Sequence, residues 1–136
     1  MKAYNGFSGL TRYEADKWLK EQCRTGAIPW PSKCDLCGNT GIVDYHCESY
    51  DKPFGEHIYR YCLCYSCHMM LHCRFTVPER WHEFIIELRK GGKPRRFNGR
   101  LWDEFKATYI SVTGVHLMAG GVMTDRGREL LEVLGV

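Results

Sequence analysis

Four cysteines and three histidines carry the chemistry that this chain can offer. Cys34 and Cys37 form one Cys-x-x-Cys pair, and Cys64 and Cys67 form a second. Zinc takes four tetrahedral ligands, and two thiolates so spaced on a tight turn supply two of the corners. Gly38 follows the first pair, where the chain must turn. A structural zinc ion on Cys34, Cys37, Cys64 and Cys67 is therefore expected. The even total of eight cysteines also permits a disulfide framework. That framework needs an oxidising compartment, and Met1-Lys2-Ala3-Tyr4 leads into a polar, amphipathic segment with no apolar core of export-signal type. A c-type haem attachment, spelled by Cys64-Tyr65-Ser66-Cys67-His68, leaves the first pair without a role.

The histidines add a second kind of chemistry. His68 and His72 are four apart on a predicted helix, so both rings lie on one face within reach of a single ion. Such a pair is a common half-site for a divalent metal. His46, at the end of the preceding strand, approaches the same point if the strands fold onto the helix. A histidine near a metal and not bonded to it is a good general base for water. The other readings are that His72 is a polar residue at the edge of the core, and that His68 joins the cysteine site. His57, His82 and His116 stand singly and are read as surface or hydrogen-bonded residues.

These side chains must be positioned by local elements. Gly41 to Tyr50 reads as a strand, Asp51-Lys52-Pro53-Phe54-Gly55 as a turn, and His57 to Leu63 as a second, antiparallel strand. On the first strand Asp44, His46 and Glu48 share one face. Tyr65 to about Arg74 suits a helix. Ahead of this unit a helix is expected over Thr11 to Arg24, with Thr11 and Glu14 as its capping box. Its core face is Ala15, Trp18, Leu19 and Cys23, and Ile28-Pro29-Trp30-Pro31 forces an extended exit. Behind the unit a helix starts with Thr76 as N-cap, carries Trp81, Phe84, Ile85 and Leu88, and ends at Gly91-Gly92. Leu101 to Ile110 forms another, with Leu101, Trp102, Phe105 and Tyr109 on its apolar side. Gly114 to Gly121 is a loop, and Thr124 caps a last helix through Leu134.

The segment from Arg89 to Arg100 carries six basic residues (Arg89, Lys90, Lys93, Arg95, Arg96 and Arg100), no acid, and Phe97 among them. Glycine and proline make it a loop that either binds backbone phosphates or stands as a solvated basic connection. The chain of 136 residues is 44% hydrophobic with a net charge of +3, which suits one globular domain and by itself names no partner. No run of about eighteen apolar residues is present, so no membrane span is expected. Reduced thiols point to the cytoplasm.

The stretch from Cys34 to Phe75, about a third of the chain, resembles the zinc-stapled HNH endonucleases of the ββα-metal type. The resemblance rests on the two framing Cys-x-x-Cys pairs, the strand histidine and the Cys67-His68 junction with His72 beyond it. It implies an α+β fold with a small HNH-like core at 34–75, an N-terminal helical segment at 1–30 and a C-terminal helical extension at 76–136. It implies a nuclease acting on DNA in a bacterial or phage-infected cell. His46 would be the general base, and His68 and His72 would be helix ligands for Mg²⁺ or another divalent cation. Two positions depart from the family pattern. Tyr45 stands where the family places a metal-binding residue before the base, and no Asn lies near Tyr59. Asp44 replaces the missing ligand if a bulge re-aims it, or else orients His46; Glu48 is a further substitute. The competing expectation is an inactive HNH-like module that binds nucleic acid or a protein partner as an adaptor or inhibitor.

Overall fold

The computed structural model describes residues 1–136. The chain is α+β, with five α-helices and two small antiparallel sheets. Helix α1 spans Gly9–Thr25. Strands β1 (Val43–His46) and β2 (Tyr61–Cys64) pair antiparallel, with His46 opposite Tyr61 and Val43 opposite Cys64. Helix α2 (Tyr65–His72) follows β2 without a break. Helix α3 covers Pro78–Arg89. Strands β3 (Gly92–Lys93) and β4 (Met118–Ala119) pair across the short helix α4 (Trp102–Phe105) and a π-helical turn at Lys106–Ile110. Helix α5 (Asp125–Val133) comes last. No helix is long and apolar enough to cross a membrane.

Several boundaries differ from the sequence expectation, each for a local reason. Helix α1 begins one turn early because Ser8, not Thr11, is its N-cap: the Thr11 N–H donates to Ser8 Oγ at 3.2 Å. Glu14 instead pairs with Lys52. Thr76 does not cap α3; its hydroxyl donates to the Cys73 carbonyl, and Val77 takes the cap position. Both core strands are shorter than the β-branched and aromatic composition suggested. His57 falls in a 3₁₀ turn at Glu56–Ile58 rather than in a strand. Phe97 is buried, whereas Leu101 and Trp102 lie exposed at the start of α4.

Two apolar clusters flank the β1–β2–α2 unit. The larger gathers Leu36, Leu63, Met70 and Leu71 with Trp81 and Phe84 of α3, Phe105, and Leu130 and Leu131 of α5. The smaller packs Ala15, Leu19 and Cys23 of α1 against Cys47, Tyr50 and Ile58. Helix α2 thus turns its Met70 and Leu71 toward one cluster and keeps its histidines on the other side.

The C-terminal helix is docked on the first cysteine knuckle. Asp35 accepts the Thr124 N–H through its carbonyl at 2.9 Å and the Thr124 hydroxyl through Oδ1 at 2.9 Å; its Oδ2 accepts the Cys62 N–H at 2.8 Å. At Gly127 a Cβ would stand 2.1 Å from the Asp35 carbonyl oxygen, so the close approach requires glycine.

Candidate metal centres

The knuckle from Cys34 is closed by Gly38 N–H donating to the Cys34 carbonyl at 2.9 Å, and by the Asn39 N–H directed at Cys37 Sγ at 3.4 Å. The second pair sits where β2 passes into α2, so the strand end and the first helical turn fix Cys64 and Cys67. The four buried sulfurs lie within 4.8 Å of one another, and Cys37 and Cys64 are 3.7 Å apart. Two sulfurs about 2.3 Å from a shared tetrahedral zinc would be about 3.8 Å apart, so the cluster fits that ion. Burial resists ionisation of Cys34, yet its contacts with the other three thiols bring it well below the ordinary thiol range. Burial and the same neighbours push Cys67 up. Four buried sulfurs gathered this closely form a site that a cation completes.

The second cluster is His46, His68 and His72, whose ligand atoms also lie within 4.8 Å of one another. His46 Nδ1 is 3.2 Å from His68 Nε2. On its other side His46 Nε2 is 2.5 Å from Glu48 Oε1. Glu48 is pulled toward the ionised form: burial opposes it, but bonds from His46 and Tyr4 outweigh burial. An ionised carboxylate only accepts, so Nε2 carries the proton and Nδ1 turns its lone pair toward the other two rings. Burial, followed by the neighbouring cationic groups, holds His72 down to about 4, and burial depresses His68 well below the imidazole range. Neutral imidazoles are the form that binds metal. Three such rings without a carboxylate suit Zn²⁺, Co²⁺ or Ni²⁺ better than Mg²⁺, which prefers oxygen.

The N-terminal residues build one wall of this cluster. Tyr4 and Phe7 close a tight turn through reciprocal backbone bonds, with Asn5 and Gly6 both at positive φ. The turn places the Tyr4 ring flat on His72 at 4.9 Å and its hydroxyl on Glu48 at 2.6 Å. Arg74 holds both, at 2.8 Å from Tyr4 Oη and 3.4 Å from Glu48 Oε2. Asn5 adds a bond to the Glu48 carbonyl at 2.8 Å.

A cavity of about 520 Å³ is lined by His68, His72, Asp44, Arg12, Arg100 and Trp30 among others. Two side-chain polar atoms in the molecule are buried without a hydrogen-bond partner, His72 Nε2 and Arg12 Nε. Both residues line this cavity. Asp44 does not join the histidine cluster. It lies on the cavity wall and accepts from Arg100 through both oxygens, at 3.0 and 2.8 Å.

The basic segment from 89 to 100 is partly committed within the molecule. Lys90 pairs with Glu87, Arg95 with Glu104 and Arg100 with Asp44, all at exposed sites. Arg89 donates to the Val136 carbonyl, while Lys93 and Arg96 make no ion pair. The Asn39 side chain donates to the Pro94 carbonyl at 3.0 Å, which ties the segment to the knuckle.

Sequence reasoning brought together the four cysteines and the three histidines, but it missed Tyr4 and Arg12 and undervalued Glu48. The Asn5-Gly6 pair was the available signal for the N-terminal turn. Nothing local marks Arg12. No family model, curated protein or solved structure matches the chain.

Proposed function

We propose that the protein is a metal-dependent nuclease of the HNH type that hydrolyses phosphodiester bonds in nucleic acid. One observation carries the reading: the two unsatisfied buried polar atoms, His72 Nε2 and Arg12 Nε, belong to residues that face one cavity beside three converging imidazoles. A metal-binding nitrogen and an anion donor, both unpaired on residues that line one cavity, suit a metal-bound phosphate held between them. A divalent ion would be held by His46, His68 and His72 and would supply Lewis acidity beside the cavity. This reading gives His46 the third corner of the cradle in place of a base. Glu48 orients it, and Arg12 donates to a phosphate oxygen. Asp44, two residues from His46 on β1 and paired with Arg100 on the cavity wall, would take the proton of the attacking water as the phosphorus–oxygen bond to the leaving group breaks, and the leaving oxygen would take its proton from solvent. The Cys34, Cys37, Cys64 and Cys67 cluster would hold a structural zinc.

A second reading is favoured by the stacking of Tyr4 on His72, which closes one side of the cluster. The three histidines then form another structural staple, and the module binds nucleic acid or a protein partner without cutting it. Nicking of supercoiled plasmid by purified protein with Zn²⁺, Co²⁺, Ni²⁺, Mn²⁺ or Mg²⁺, beside His68→Ala and Arg12→Ala, separates the two. Metal-dependent nicking that both substitutions abolish, with the cysteine-bound zinc retained, supports the nuclease. Full metal loading with no cleavage under any ion transfers the assignment to the binding module.

A further inference from the structure

We infer that the cavity beside the histidines receives one unpaired nucleotide, with Trp30 as the stacking surface for its base, so that the substrate is single-stranded nucleic acid or a strand with an unpaired end. The inference rests on the nuclease reading and narrows its substrate class. The cavity, at about 520 Å³, has the size of a small-ligand pocket. Bases in a duplex are stacked and paired inward, and a pocket of this kind reaches one only after it has left the stack. Trp30 lines the cavity and is 60% exposed, so the face of its indole is open for a base to stack on.

The Trp30 loop is held rather than free. Pro29 and Pro31 flank it, restricting the backbone on both sides. The Tyr45 hydroxyl donates to the Pro29 carbonyl at 2.6 Å, and the Cys23 thiol points to the same oxygen at 3.7 Å. Tyr45 precedes His46 on β1, so the strand that presents the histidine also fixes the distance to the tryptophan. Tyr45 is therefore a positioning residue for the Trp30 loop. Of the cations on the cavity, Lys20 pairs with Asp16 and Arg100 with Asp44, whereas Arg12 has no acidic partner: its Nη1 donates to the Lys2 carbonyl and its Nε is unpaired.

The test is fluorescence anisotropy on ice with zinc-loaded full chain and three labelled probes of one sequence: a single-stranded DNA, its blunt duplex, and the single strand carrying abasic sites. The single strand should bind at least tenfold more tightly than either of the others. Trp30→Ala should weaken single-strand binding by about five- to a hundredfold without changing duplex binding. Trp30→Phe should restore most of it, and Tyr45→Phe should fall between. Equal binding of blunt duplex, equal binding of the abasic strand, or an unchanged Trp30→Ala each overturns the inference. Trp30-dependent single-strand binding without cleavage retains the inference and retires the nuclease. Cleavage of blunt duplex with no single-strand preference retires the inference and retains the nuclease.

Discussion

Glu48 Oε1 lies 2.5 Å from His46 Nε2, and His46 Nδ1 faces His68 Nε2 at 3.2 Å. One imidazole thus links a carboxylate to the other two rings. Such outer carboxylates fix the tautomer of a ligating histidine and raise its basicity. Glu48→Gln, whose amide oxygen still accepts, should lower the divalent-metal affinity of the histidine centre by about tenfold, and Glu48→Ala by up to a hundredfold. Competition titration against a chromophoric chelator reads this directly, with the cysteine-bound zinc as internal reference. Equal affinities in all three proteins would remove Glu48 from the centre.

Removing the zinc that the four cysteines would hold should unfold the whole chain rather than loosen one corner. The knuckles hold β2, α2 and, through Asp35, α5. Structural zinc in small domains contributes about 10–16 kcal/mol, against a typical total stability of about 5–15 kcal/mol. Cys37→Ser, or a strong chelator, should abolish the cooperative thermal transition seen by circular dichroism. A retained transition with no zinc bound would show that the apolar clusters suffice.

Gly127→Ala drives a methyl group against the Asp35 carbonyl. A shift of backbone in a packed region costs about 1–3 kcal/mol. The urea midpoint should fall accordingly, and Thr124→Ala, which removes the N-cap of α5 as well as the bond to Asp35, should cost about 1–2 kcal/mol. Because both changes act on one contact, the double variant should lose less than the sum.

Acid should weaken the fold through the histidine cluster. In the unfolded chain these rings take up protons below about 6.5. In the metal-free fold, burial first and then nearby cations keep His72 neutral down to about 4. The unfolded state therefore binds more protons across that window, so stability is full above about pH 6.5 and declines as the pH falls toward 4. Urea unfolding of metal-free-cluster protein at pH 7.5, 6 and 5 should show this decline, and His72→Phe should flatten it. A slope unchanged by His72→Phe would place the acid sensitivity elsewhere.

The cysteine centre was legible because its ligand spacing is local, and the His68/His72 pair because four residues make one helical turn. The partners of these residues were not legible. Tyr4 and Glu48 are brought together by an N-terminal turn and the segment just past β1, far apart in sequence. The basic segment looked free because its acids, Glu87, Glu104 and Asp44, lie outside it. Helix starts were misplaced where two patterns competed: Ser8 precedes Thr11 by one turn, and tertiary pairing with Lys52 took Glu14 away from the cap.

Helix α2 is eight residues long, and Cys67 and His68 are consecutive on it, one in the cysteine cluster and one in the histidine cluster. Cys64 at its start and His72 at its end belong to opposite clusters as well. Each residue of a helix is rotated by about 100° from the last. A one-residue insertion or deletion between Cys64 and His72 would therefore swing every later ligand out of its cluster at once. Outside this helix, the knuckle between Cys34 and Cys37 is the other place where the spacing of two ligands is local. In this helix the number of residues, and not only their identity, is under constraint.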